Sequence, residues 1–163
     1  MNSNKPIGKS VRIGHVHLKV ADLERALEFH CGVLGFETMV RFGRDAVFVS
    51  AGGYHDHIGL NTWESLGGSP PPPGATGLYH LAILYPTRAE LADALTRLTK
   101  AGIALDGTSD HGLARLFTCV IHHQNGIELY WDRPQEQWPR TPDGQVTMFS
   151  RPLDLNSLLA ELS

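Results

Sequence analysis

The sequence has only two cysteines, no surplus of positive charge and no long apolar run, and each shortage removes a class of protein. Cys31 and Cys119 stand far apart and form no CxxC pair, so neither a disulfide framework nor a zinc-thiolate site is expected. Both read as small buried apolar groups in a reducing compartment. Lys and Arg number 14 against 17 Asp and Glu, for a net charge of −3. That balance leaves no positive field to neutralise phosphates and argues against nucleic acid as the partner. No stretch nears the roughly 20 apolar residues of a membrane span. The opening MNSNKPIGKS has two lysines but no apolar run behind it, so it is not read as a secretory signal. The expectation is a soluble, cytoplasmic chain with neither nucleic-acid nor membrane partners.

What is present is a globular composition with one oddity. Of 163 residues, 42% are apolar and 19% charged, which excludes a disordered acidic tail and a fibrous repeat. The length predicts one domain, or two small halves sharing a core. Nine histidines point towards metal or proton chemistry.

Hydrophobic periodicity predicts the same run of elements twice. In RIGHVHLKV (12–20), Val16, Leu18 and Val20 alternate with His15, His17 and Lys19, as in a half-buried strand. Asp22 is placed to cap a helix through Leu23, Ala26, Leu27 and Val33, with Gly35 as its stop. Strands are expected at 38–42, 46–50 and 55–62. The segment 64–77 contains four successive prolines, which remove four backbone donors and favour an extended linker. A strand at 78–85, a helix opened by Pro86 and Thr87 and ended by Gly102, and strands around Ile103, 113–121 and 127–131 repeat the order. His15 and His80 stand 65 positions apart, and IGLNTW (58–63) answers IELYW (127–131). The pattern is an internal duplication. One domain over 1–163 is expected, with a first module at 12–63, a linker at 64–77 and a second module at 78–131. A polar tail follows at 132–163, in which LDLNSLLAEL suggests a short helix. Side by side, the modules would form a curved, mixed, largely antiparallel sheet with helices outside, an α+β fold.

Strand parity then selects the residues that carry chemistry. His15 cannot share a face with Val16, Leu18 and Val20, so it points into the concavity, and His80 does the same from the second module. In GIELYW the apolar Ile127, Leu129 and Trp131 take the helix side, which turns Glu128 and Tyr130 to the concavity. Two imidazoles and one carboxylate from three strands, with open positions left over, suit a divalent metal, above all non-haem Fe(II). Mn(II), Zn(II) and Ni(II) are the alternatives. The slot answering Glu128 is Gly59, which offers no ligand. His57, two residues before Gly59, shares its face and is a candidate proton donor or acceptor at the open sites, and a base in the specific form of the expectation. His17 shares the His15 face and is a pocket candidate, as are Phe117 and Tyr130. His30 and His55 read as packing or surface residues, and His122 and His123 as solvated turn residues.

These segments, IGHVHLKVADLERALEF with VLGF, then TGLYHLAI and NGIELYW, resemble the vicinal oxygen chelate superfamily. It includes glyoxalases, bleomycin-resistance proteins and type I extradiol dioxygenases. GGYHDHIGLNTW, the proline run, LYHLAILYPTRAELADAL and the DHG element (110–112) are most similar to its catechol 2,3-dioxygenase-like branch. The resemblance spans Ile13 to about Pro139 and implies paired βαβββ modules, with His15, His80 and Glu128 in the metal-ligand slots. It places His111 where ring-cleaving relatives have a histidine that hydrogen-bonds an oxygen at the metal. Some positions depart from the pattern. The turn before Gly126 reads IHHQNG, Thr118 stands where ring-cleaving relatives carry tyrosine, His30 replaces a common tyrosine, and only one module pair is present. The expectation is a metal-dependent enzyme acting on a small molecule chelated through two adjacent oxygens, with extradiol cleavage leading. A glyoxalase-type isomerase or lyase, or a non-catalytic resistance-type binding protein, is the alternative. A homodimer is expected as the commonest symmetric assembly.

Overall fold

The computed structural model describes residues 5–121 and 125–162. The first half runs β1 (Val16–Lys19), α1 (Leu23–Leu27), β2 (Glu37–Phe42), β3 (Ala46–Ser50) and β4 (Ile58–Asn61). The second half repeats this as β5 (His80–Leu84), α2 (Arg88–Lys100), β6 (Gly107–Asp110), β7 (Ala114–Val120) and β8 (Gly126–Asp132), and the tail adds α3 (Leu155–Leu159). No described helix is long and apolar enough to cross a membrane.

Local chemistry explains the boundaries. Asp22 caps α1 by accepting from the Arg25 N–H at 3.0 Å, which satisfies a donor that the first turn leaves unpaired. Beyond Leu27 the helix widens to a π turn over Glu28–Val33, closed by Leu34 N–H to Phe29 O at 3.0 Å. In the widened turn, consecutive residues Phe29 and His30 are both buried. His30 is thus a packing residue, its Nδ1 2.8 Å from Ala26 O. Thr87 caps α2 by accepting from Glu90 N–H at 3.1 Å. The strand expected around Ile103 begins only at Gly107, because Ile103 and Leu105 pack on the core without entering a ladder.

Instead of one continuous sheet, there are two four-stranded sheets, ordered β1-β4-β3-β2 and β5-β8-β7-β6. In each, the edge strand pairs in parallel with the last strand and the other pairings are antiparallel. The two halves share a register. Gly59 lies between His17 on β1 and Phe48 on β3, as Glu128 lies between Ala82 on β5 and Thr118 on β7.

Alternation along the strands sorts core from site. Leu18 and Val20 are buried, whereas His17 and Lys19 are exposed. One core packs Leu91, Leu95 and Leu98 of α2 on Phe117, Ile127 and Leu129, with Phe29, Leu34 and Leu158 closing it. The other packs Leu23 and Leu27 on Leu18, Val47, Val49, Ile58 and Leu60. Phe36 and Leu81 touch both clusters and join the halves.

Candidate metal centre

A cavity of about 600 Å³ is lined from both edge strands. Its walls include His15 and Val16 from the first half, His80 to Leu84 and Tyr130 from the second, and His57 just before β4. Apolar Ile13, Phe36, Ile58 and Leu78 complete much of the lining. Three of the histidines selected by parity therefore meet at one space.

Glu128, on β8, is not itself a lining residue but stands beside His80, which is. Its carboxylate oxygen lies 3.8 Å from His80 Nε2, with the Glu128 side chain 16% exposed and that of His80 34%. One metal ion about 2 Å from each donor could bridge such a pair. His15 stands apart from the pair, since among the described residues no three His, Cys, Asp or Glu side chains are close enough together to hold an ion as they stand. The His15 Nδ1 lies instead 3.3 Å from Asp56 Oδ2, and the other Asp56 oxygen contacts His55 Nδ1. The donor set, two imidazoles and a carboxylate, fits a divalent metal in its chemistry, and the His80–Glu128 pair fits it in distance.

His57 is held by its back edge. The Ala51 N–H donates to His57 Nδ1 at 3.3 Å, and Ser50 Oγ lies 2.8 Å from the same nitrogen. A backbone amide can only donate, so Nδ1 is the acceptor and the neutral ring carries its proton on Nε2. The ring at rest is thus a donor rather than a base.

The remaining predicted residues separate. The His17 ring lies over Gly59, where an added Cβ would come within 2.7 Å of it, and it packs near Phe48 and Trp63 at 5.5 and 5.3 Å between centroids. The slot left empty by Gly59 is therefore filled by His17, which lines a neighbouring cavity of about 560 Å³. Burial, with a smaller contribution from His15, lowers its pKa. Tyr130 does line the first cavity. Phe117 does not belong to either wall. It is fully buried under α2, because its register partner is Leu129 on the core face. His55 stacks at 4.1 Å on Tyr54 and contacts Asp56. His122 and His123 lie outside the described residues.

His111 is held in the β6–β7 turn, with its N–H bonded to Ala114 O at 2.9 Å and its carbonyl accepting from Phe149 N–H at 3.2 Å. It is not among the residues lining the cavity. Gly112 follows at φ +79°, and a Cβ there would meet the Phe149 ring at 2.6 Å. Asp110 anchors the turn, accepting from Gly112 N–H at 2.9 Å, Arg115 Nε at 3.3 Å and Arg133 Nη2 at 2.5 Å. Burial raises its pKa, but the Gly112 N–H and the two guanidinium groups outweigh it and hold the carboxyl below its ordinary value. A depressed folded pKa makes this stabilisation complete above the unfolded value and lost as pH falls through the folded one. Asp110→Asn should cost about 1–3 kcal/mol at pH 7, and the gap from the parent should narrow on acidification below about pH 4, read by urea melts across pH. A gap independent of pH would sink this assignment.

The chain matches the model of the Glyoxalase/Bleomycin resistance protein/Dioxygenase superfamily over residues 12–149. It belongs to that superfamily. It is 36% identical over 156 residues to a catechol-2,3-dioxygenase from Bacillus subtilis (strain 168), covering 95% of this chain and 53% of that protein. The chain thus spans about half the length of that relative. Among solved structures, a glyoxylase/bleomycin resistance protein/dioxygenase domain from Frankia sp. EAN1pec is 25% identical with a TM-score of 0.62, covering 76% of this chain and 98% of that one. A glyoxalase/dioxygenase from Nostoc punctiforme shares the fold at a TM-score of 0.63 and 21% identity, over 82% of this chain and 99% of that one. Within this superfamily member, Thr118 faces Glu128 across β7–β8, and its hydroxyl donates to Gly107 O at 3.5 Å.

Asp56 and Ser50 are the residues that periodicity missed. The one sequence signal was the place of Asp56 between His55 and His57; Ser50, at the end of β3, carried none.

Proposed function

We propose that the chain is a metal-dependent enzyme acting on a small substrate with two adjacent oxygens, with extradiol cleavage of a catecholic compound as its reaction. The observation that carries this reading is the pairing of Glu128 with His80 at 3.8 Å beside a cavity that also holds His15 and His57. The likeness to a catechol-2,3-dioxygenase supports the choice of reaction. His15, His80 and Glu128 would hold the metal, Fe(II) by preference. When bound, the metal supplies a Lewis acid that grips and polarises the substrate oxygens.

The protein's own groups do the rest. Ile13, Phe36, Leu78 and Ile83 present an apolar wall suited to an aromatic ring and exclude water around it. His57 donates from Nε2 to a substrate oxygen as negative charge gathers there, and can pass that proton on. Tyr130 offers a hydroxyl to the same cavity, and burial, aided by Asp132 and Glu128, raises its pKa and keeps it protonated. His57→Gln keeps a hydrogen-bond donor without a transferable proton, so turnover should fall roughly 10²–10⁴-fold while metal content is unchanged. Undiminished turnover would remove His57 from the mechanism.

Thr118 favours a second reading. It stands where ring-cleaving relatives carry a tyrosine, with its hydroxyl 3.5 Å from Gly107 O, and a glyoxalase-type isomerase or lyase needs no such group. Screening Fe(II)-loaded, anaerobically prepared protein against catechols on admitting air separates the two. Oxygen uptake with a yellow ring-opened product supports the dioxygenase. Turnover of an adjacent-dioxygen substrate without oxygen uptake would replace it by the isomerase.

A further inference from the structure

We infer that Asp56 is a positioning residue, whose carboxylate holds the His15 ring by Nδ1 and leaves its Nε2 lone pair for the metal. The inference rests on the metal-site reading above.

Asp56 sits in the short stretch before β4 with a side chain only 13% exposed. A buried carboxylate demands compensation. Among the described residues its side-chain partners are two imidazoles, His15 Nδ1 at 3.3 Å from Oδ2 and His55 Nδ1 on Oδ1, with no Lys or Arg between them.

The backbone fixes this meeting. Val16 N–H donates to His57 O at 3.0 Å, and His57 N–H donates to Val49 O at 3.0 Å. The residues flanking the first of these bonds are His15 on one side and Asp56 on the other, so the sheet itself sets them side by side. An ionised carboxylate only accepts. At 3.3 Å it favours the Nδ1–H form of His15, and in that tautomer Nε2 is the free donor atom. A carboxylate behind a metal-binding imidazole orients the ring and raises its basicity. His15 needs such a hold more than His80, because its side chain is 50% exposed against 34% and an exposed ring has more rotamer freedom to lose on binding. His55, 70% exposed, balances the second oxygen from the solvent side and keeps the carboxylate from turning away.

The test uses the full chain with Asp56→Ala and Asp56→Asn, and His80→Ala as a control that removes a proposed ligand. Long-range ¹H–¹⁵N correlation on metal-free protein near pH 8 reads the His15 tautomer directly. The parent should show a protonated Nδ1 and a free Nε2. Asp56→Ala should lose that bias, and Asp56→Asn should keep much of it through the amide oxygen. Titration with Co(II) should show affinity about 10–100-fold weaker in Asp56→Ala, with part restored in Asp56→Asn. A His15 with its proton on Nε2 in the parent overturns the inference. So does Co(II) affinity in Asp56→Ala equal to the parent's, and so does tighter binding, which would mean the carboxylate draws His15 away. Should the parent bind no Co(II), the metal-site reading fails, and the tautomer comparison still decides whether Asp56 sets His15.

Discussion

His80→Ala is expected to fold normally and to lose the proposed divalent metal. The expected loss of affinity is roughly 100-fold or more, because even partners behind metal ligands cost 10–100-fold when removed. The fold survives because His80 is a half-buried side chain on an edge strand and belongs to neither core. Removing it also frees Glu128, which loses the imidazole 3.8 Å away, so the proposed site would lose one ligand and the fixed position of another. Glu128→Gln should do nearly as much, since a neutral amide is a poorer ligand for a hard cation. Circular dichroism and thermal melts check the fold, and metal analysis after dialysis checks the site. Stoichiometric metal in His80→Ala would remove this histidine from the ligand set.

Phe117→Ala should do the opposite: stability should fall sharply while affinity for the proposed metal is kept. Phe117 is fully buried against α2 and Leu129, and truncating such a ring costs about 3–5 kcal/mol through lost transfer energy and the cavity left behind. For a chain of this size that is a fall in Tm of about 6–20 °C. Because its side chain is on the core face of β7, metal affinity in the folded variant should match the parent's. A variant of parental stability with weakened substrate binding would return Phe117 to the pocket wall.

The contrast between these residues shows which parts of the molecule were legible beforehand. Parity along RIGHVHLKV separated Leu18 and Val20 from His17 and Lys19, and the burial follows that division. Alternation works there because one face of β1 is packed and the other open. It fails for Phe117, since β7 has consecutive buried residues, Leu116 and Phe117, and period two cannot say which of them faces the helix. The widened turn at Glu28–Val33 was invisible for a related reason: a regular helical period was assumed where two adjacent residues are buried.

For the candidate site, parity brought histidines to one face but could not give their contacts. His15, His57 and His80 do line one cavity. His17 was assigned to the pocket because it shares a face with His15, but the missing side chain at Gly59 lets its ring lie down between Phe48 and Trp63. The Asp56 contact depends on the parallel pairing of β1 with β4, which joins segments about 40 residues apart. No local pattern encodes such a neighbour. The donor form of His57 depends likewise on a backbone amide, Ala51, whose direction only the folded chain sets.

The most direct test of the central claim is a crystal structure of the protein loaded anaerobically with Fe(II), with the ion located by its anomalous scattering. The account predicts one ion in the cavity between β1 and β5, bound by His15, His80 and Glu128 with the remaining positions open. An ion held elsewhere, or a loaded crystal with no ion on these three side chains, would contradict it.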